Sequence, residues 1–144
     1  MITMSYAHAN SISQNVPLLR KLFQTEMPVK TATRLKRILG RVGFAAKHVQ
    51  EAQYNLQMTA AKLYALCDSE GNPVLDEAGE LTFKSDEDKG QANKEVMLGI
   101  APVMKQVLTL EVEPLNLDDT GLNLTLQELD MLSPLFVQDE ITSS

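Results

Sequence analysis

A repeat of apolar positions between Thr31 and Leu66 constrains this chain more than any other feature. Thr31, Leu35, Ile38, Val42, Ala45, Val49, Ala52, Leu56, Thr59, Leu63 and Leu66 step alternately by four and three, and nine of the eleven are apolar. The spacing averages 3.5 residues, which marks a helix with one narrow seam that supercoils against a partner helix. Pro28 suits the first turn of such a helix, and no other proline follows until Pro73. A helix from Met27 to Cys67 would be roughly 55–60 Å long at 1.5 Å per residue, more than a lone small core covers. What covers that seam decides what the chain does.

Length and charge narrow the classes. The 144 residues suit a single domain, 1–144. Tryptophan is absent and aromatics make up 5%, so the core must rest on Leu, Val, Ile, Met and Ala. The single cysteine, Cys67, rules out an internal disulfide framework and Cys-based zinc chemistry and points to a reducing compartment. Its place at the end of the seam predicts a buried small residue. No run approaches eighteen apolar residues, and no basic-then-apolar segment opens the chain, so neither a membrane span nor a signal peptide is expected. The net charge of −6 conceals a polarity. Residues 1–62 carry nine Lys or Arg against Glu26 and Glu51, whereas residues 63–144 carry four lysines against seventeen acids. Such halves suit each other, within one chain or between subunits.

In chain order, residues 1–4 read as a short strand or frayed start, and Ser5 or Asn10 can cap a first helix ending near Gln24. Ile12, Val16, Leu19 and Phe23 would form its apolar face, and Pro17 predicts a kink or fresh start near Asn15. Gly40 and Gly43 interrupt the long helix off its seam, which suggests close approach of a neighbouring backbone, a slight bend or a hinge. Asp68 to Pro73 is a turn, and Val74-Leu75 with Leu81-Thr82-Phe83 read as a small β-hairpin around Asp76 to Gly79. An EF-hand fails here, because its glycine and glutamate positions hold Pro73 and Gly79. Ser85 with Asp88 resembles a capping pair for a helix to about Val107, with Ala92, Val96, Gly99 and Val103 as the antiparallel partner face for the long helix. Pro102 should kink it. Leu108, Leu110 and Val112 alternate with polar residues as a half-buried strand that Pro114 ends. Leu115–Leu117 and Leu122–Leu124 suggest a second extended pair. Thr125 and Glu128 form a capping box for a short helix through Leu132, Ser133-Pro134 ends or restarts it, and Leu135, Phe136 and Val137 dock. The last few residues are expected to be loose. No internal repeat stands out.

One candidate site emerges. Lys30, Arg34, Arg37 and Arg41 step by four, three and four, His48 extends the register, and Phe44 sits among them, with no acid between Glu26 and Glu51. This stripe beside the seam has three physical readings. It is a solvated flank paired with the acidic half or another subunit, a docking surface for an acidic protein, or a phosphate-binding strip for nucleic acid or a nucleotide-like ligand. The overall pI near 4.9 and the lack of interleaved aromatics other than Phe44 weaken the nucleic-acid reading. His8 and His48 lie in no metal-ligand spacing, Cys67 has no paired His, and no glycine-rich phosphate loop or nucleophile elbow is present. No catalytic, cofactor or metal residue is therefore assigned, and a non-enzymatic role is expected.

Three stretches carry a resemblance. Glu26-Met27-Pro28-Val29-Lys30 opens the long helix, Asp68-Ser69-Glu70-Gly71-Asn72-Pro73-Val74 with Gly79 forms the hairpin, and Leu110-Glu111-Val112-Glu113-Pro114-Leu115 precedes Leu126-Gln127-Glu128-Leu129-Asp130-Met131-Leu132. In order and spacing these resemble a family of small, functionally uncharacterised proteins of tailed bacteriophages, over most of the chain. The resemblance implies a viral protein in the host cytoplasm or the virion. Residues 30–47 are more basic than it would lead one to expect.

Taken together, the expected fold is α+β, mainly α: a long antiparallel helical hairpin, a small β-hairpin at its tip, and a C-terminal strand-turn-helix segment. A homo-oligomer joined by a coiled-coil seam is expected. Function then falls to binding a host or viral protein, to block or sequester a host or defence component. The alternative is a virion structural or assembly protein joining subunits head to tail. Neither needs a membrane or a cofactor.

Overall fold

The computed structural model describes residues 1–137, which form two compact units: Met1–His48 with the described residues from Lys105 onward, and Val49–Met104. The expectation of loose final residues lies outside the described residues. The fold is mainly helical, with one long helix and a two-stranded antiparallel sheet.

The first unit grows from its sheet. Strand β1 (Ile2–Ser5) pairs antiparallel with β2 (Val107–Leu110), with Ile2 opposite Leu110 and Met4 opposite Leu108. These four side chains are buried while Thr3 and Thr109 face out, the period-two alternation that one covered face imposes. Ser5 then caps α1 (Tyr6–Gln14), its hydroxyl accepting from the His8 N–H at 3.0 Å. Asn15 ends α1 and caps α2 (Val16–Gln24), with Pro17 in the first turn, where its missing N–H costs nothing. The fresh start expected near Asn15 is thus present, but the apolar face is displaced. Leu18 and Leu22 are buried, whereas Val16 and Phe23 lie exposed. The break between α1 and α2 resets the helical phase, so one continuous face from Ile12 to Phe23 was the wrong pattern.

Helix α3 runs unbroken from Val29 to Tyr64. The Pro28 carbonyl accepts its first bond, from the Ala32 N–H, so Pro28 precedes the helix instead of opening it. Within the first unit Leu35, Ile38, Val42 and Ala45 of α3 are buried in one core cluster with side chains from β1, β2, α1, α2 and the segment from Leu115 to Phe136. The seam is therefore satisfied internally here. Farther along, Ala60 and Ala61 are buried while Thr59, Leu63 and Leu66 are exposed. A strict 3.5-residue repeat drifts about 20° per heptad against a straight helix. After four to five heptads the seam has rotated about a quarter turn away from the covered side. The coiled-coil seam thus does not exist as one continuous edge.

The second unit has a lean interior of Val49, Ala60, Ala61, Ala65, Ala92 and Ile100. Helix α4 (Asp86–Met104) starts at Ser85, whose hydroxyl accepts from the Asp88 N–H, and contains Pro102. Tyr64 donates to Glu95 at 2.6 Å, and Leu56 lies against Gly99. Helix α3 stops at Tyr64 rather than Cys67 because residues 65–83 pair in extended form. Ala65 pairs with Phe83, Cys67 with Pro73 and Leu75 with Leu81, all antiparallel. The Leu66 N–H donates to Thr82 O, Thr82 N–H to Val74 O, and Val74 N–H to Leu66 O. Three short segments so close a ring in which each gives and takes one bond. Cys67 is exposed, which overturns its reading as a buried residue.

The turns of this ring reveal an internal repeat that the linear reading missed. Asp68 Oδ1 accepts from the Glu70 and Asn72 N–H groups, and eight residues on Asp76 Oδ1 accepts from those of Ala78 and Glu80. Gly71 and Gly79 supply the positive φ, +82° and +80°, at matching positions.

The remaining segment completes the first unit. The expected second extended pair is absent: Leu117–Thr120 forms a helical turn, α5, ended by Gly121 in the left-handed region. Leu115 pairs instead in parallel with Phe136, giving its N–H to Leu135 and accepting from Val137. Helix α6 (Leu126–Leu132) carries the full capping box of Thr125 and Glu128, then passes into a 3₁₀ turn, Ser133–Leu135. Leu132, Leu135 and Phe136 are buried in the core. Glu128 also binds Lys21 of α2 at 2.5 Å, and this contact, ahead of the Thr125 backbone N–H, holds its carboxyl below the ordinary carboxylate range.

Candidate docking surface

Helical geometry and charge build the candidate surface. At 100° per residue, Lys30, Arg34, Arg37, Arg41, Phe44 and His48 share an arc of about 80° on α3. That arc borders the buried side made by Leu35, Ile38 and Val42. Lys30, Arg37, Arg41, Phe44 and His48 are exposed and Arg34 is half-buried. The structure therefore brings all six sequence-predicted residues onto one face within the first unit. His48 meets Tyr6 edge-on, with ring centroids 5.8 Å apart.

Glu111 and Glu113 stand beside the Lys30–Arg37 end of this face. Arg34 approaches Glu113 at 3.9 Å, across a pair whose carboxylate side is 86% exposed, and such surface pairs contribute little. Among the described residues Lys30, Arg37 and Arg41 make no ion pair. Lys30, Thr33, Arg34 and Arg37 line an open recess of about 380 Å³ with Glu111, Val112 and Glu113. Two carboxylates in that recess oppose a phosphate there.

Sequence reasoning missed part of the surface. Gly40 and Gly43 flank Phe44, and Lys36 and Lys47 extend the positive field, leaving six cations and no acid between Val29 and His48. A Cβ built at either glycine meets nothing within 4 Å. Among the described residues no other part of the chain approaches either glycine closely, so the first of the three expected reasons for them is not met there. Each still weakens the helix by about 1 kcal/mol relative to alanine. Phe44 is 69% exposed, and burying such a ring fully is worth about 1.5–3 kcal/mol. The helical wheel around Phe44 was the available signal: Arg37, Gly40 and Phe44 fall within about 60° of one another.

Among the described residues no three His, Cys, Asp or Glu side chains cluster as for a metal, and no helix is long and apolar enough to cross a membrane. His8 bonds the Met131 carbonyl at 2.6 Å, tying α1 to α6. The Tyr64 phenol is raised above its ordinary value, first by its hydrogen bond to Glu95. Comparison with protein-family models, curated proteins and solved structures finds no match to this chain.

Proposed function

We propose that this chain is a non-enzymatic binding protein whose docking surface is the basic face of α3 centred on Phe44. One observation carries the reading. An exposed aromatic ring stands among Arg37, Arg41 and Lys47 beside two glycines for which the described residues offer no steric reason. Such a face suits a protein partner that brings acids around an apolar contact, because arginine forks match carboxylates bidentately and glycine admits a close backbone. The resemblance to small proteins of tailed bacteriophages supports an accessory factor acting in the host cytoplasm, blocking or sequestering a host or defence component. The Tyr64–Glu95 and Leu56–Gly99 contacts favour α3 and α4 as arms of an antiparallel helical hairpin, with the 65–83 ring as its cap.

Charge polarity favours a second reading, a virion structural or assembly protein whose copies join head to tail. Mass spectrometry of purified virions separates the two, since a stoichiometric band supports the structural role. For the leading reading, affinity capture from host lysate compares the natural chain with R34E/R37E/R41E. Capture that falls away in the variant and in high salt supports the face; capture that survives intact overturns it.

A further inference from the structure

Resting on the reading of the α3 face as a docking surface, we propose that one occupant of this face is the acidic 68–80 double turn of a second copy of this chain. The two surfaces match in charge and in apolar content. The α3 face presents the exposed Phe44 on one arc with Lys30, Arg34, Arg37 and Arg41. The double turn presents Val74 and Leu75, 40% and 57% exposed, between acidic turns. From Asp68 to Asp88 the chain carries eight acids against one lysine, Lys84. Among the described residues the exposed Glu70, Glu77 and Glu80 side chains make no hydrogen bond or ion pair.

The double turn is also held in shape. Asp68 and Asp76 spend their carboxylates on their own backbones, and the ring through Leu66, Val74 and Thr82 fixes both turns to one frame. The glutamates thus project from a fixed base, which lowers the ordering cost of association. Gly40 and Gly43 leave room beside Phe44 for a turn backbone to approach.

Like faces do not pair. Two α3 faces bring cation against cation, and two double turns bring acid against acid, arrangements that cost several kcal/mol at an interface. The contact is therefore heterologous, basic face on acidic turn, and propagates as an open chain or closes as a ring.

Sedimentation of the purified chain tests this. In about 0.1 M salt the natural chain sediments as species above its 15.9 kDa monomer, and about 1 M salt, where charges are screened beyond about 3 Å, returns it to monomer. R37E/R41E alone and E70K/E77K/E80K alone remain monomeric at both, with association weakened at least about tenfold. An equimolar mixture of the two variants associates again, because each supplies the surface the other lacks. Circular dichroism of each variant shows unchanged helix content. A natural chain that is monomeric in low salt, or variants that associate undiminished, overturns the inference. Fluorescent poly-L-glutamate distinguishes the failures. If it binds the natural chain and not R37E/R41E while the chain stays monomeric, the docking face stands and the self-contact is wrong. If it does not bind either, the docking reading falls too.

Discussion

Substitution of Gly99 by alanine reports directly on the contact between α3 and α4. A Cβ at position 99 would lie 2.5 Å from Leu56 Cδ2 and 3.1 Å from Cδ1, well inside the 3.5–4.0 Å at which carbon atoms attract. Alanine inside a helix gains about 1 kcal/mol over glycine. Against this, the half-buried Leu56 must move, and overpacking of that kind costs about 1–3 kcal/mol. Gly99→Ala should therefore range from neutral to about 2 kcal/mol destabilising. In a Leu56→Ala background the obstacle is gone, and the same change should stabilise by about 1 kcal/mol, a coupling of about 1–3 kcal/mol. Urea unfolding of the four species, followed by circular dichroism, measures it. Equal stabilisation by Gly99→Ala in both backgrounds would refute the contact.

Three further outcomes follow from the same physics. Gly40→Ala and Gly43→Ala, with open space at both positions, should each stabilise by about 1 kcal/mol and raise the thermal midpoint; a loss of stability would mean the helix needs those glycines internally. Glu128→Gln should lower the thermal midpoint at neutral pH. The carboxyl of Glu128 is held low by Lys21 and Thr125, so its contribution is present above the unfolded carboxylate range and lost as pH falls through the depressed value. The gap between variant and natural chain should close in strong acid. Tyr64 should ionise above the ordinary tyrosine range because its hydroxyl donates a hydrogen bond to the Glu95 carboxylate, and ultraviolet titration of Glu95→Gln should bring that transition down.

Local signals were the legible part of the fold. Ser5, Asn15 and Thr125 each announce a helix start by a side chain that satisfies an otherwise bare N–H, and the structure uses all three. The strand at Leu108 and Leu110 was readable because a two-residue period needs no partner to be recognised. Its partner β1 lies about a hundred residues away, and nothing local specifies that pairing. Leu115 was misread for the same reason, since its neighbour Phe136 is not adjacent in sequence. The long seam misled because a 3.5-residue and a 3.6-residue repeat are indistinguishable over two turns and diverge only over the whole helix. The six residues of the basic face were legible as a stripe. Gly40 and Gly43 gained meaning only from the absence of any described residue close beside them.

Lysine acylation of the chain, read residue by residue by mass spectrometry in its partner-bound state, tests the docking face most directly. Lys30, Lys36 and Lys47 should be protected relative to the isolated chain in high salt, while Lys62, Lys94 and Lys105 react at unchanged rates. Protection of Lys62, Lys94 and Lys105 with Lys30, Lys36 and Lys47 fully reactive would place the contact elsewhere and contradict the proposal that the basic face of α3 is a docking surface.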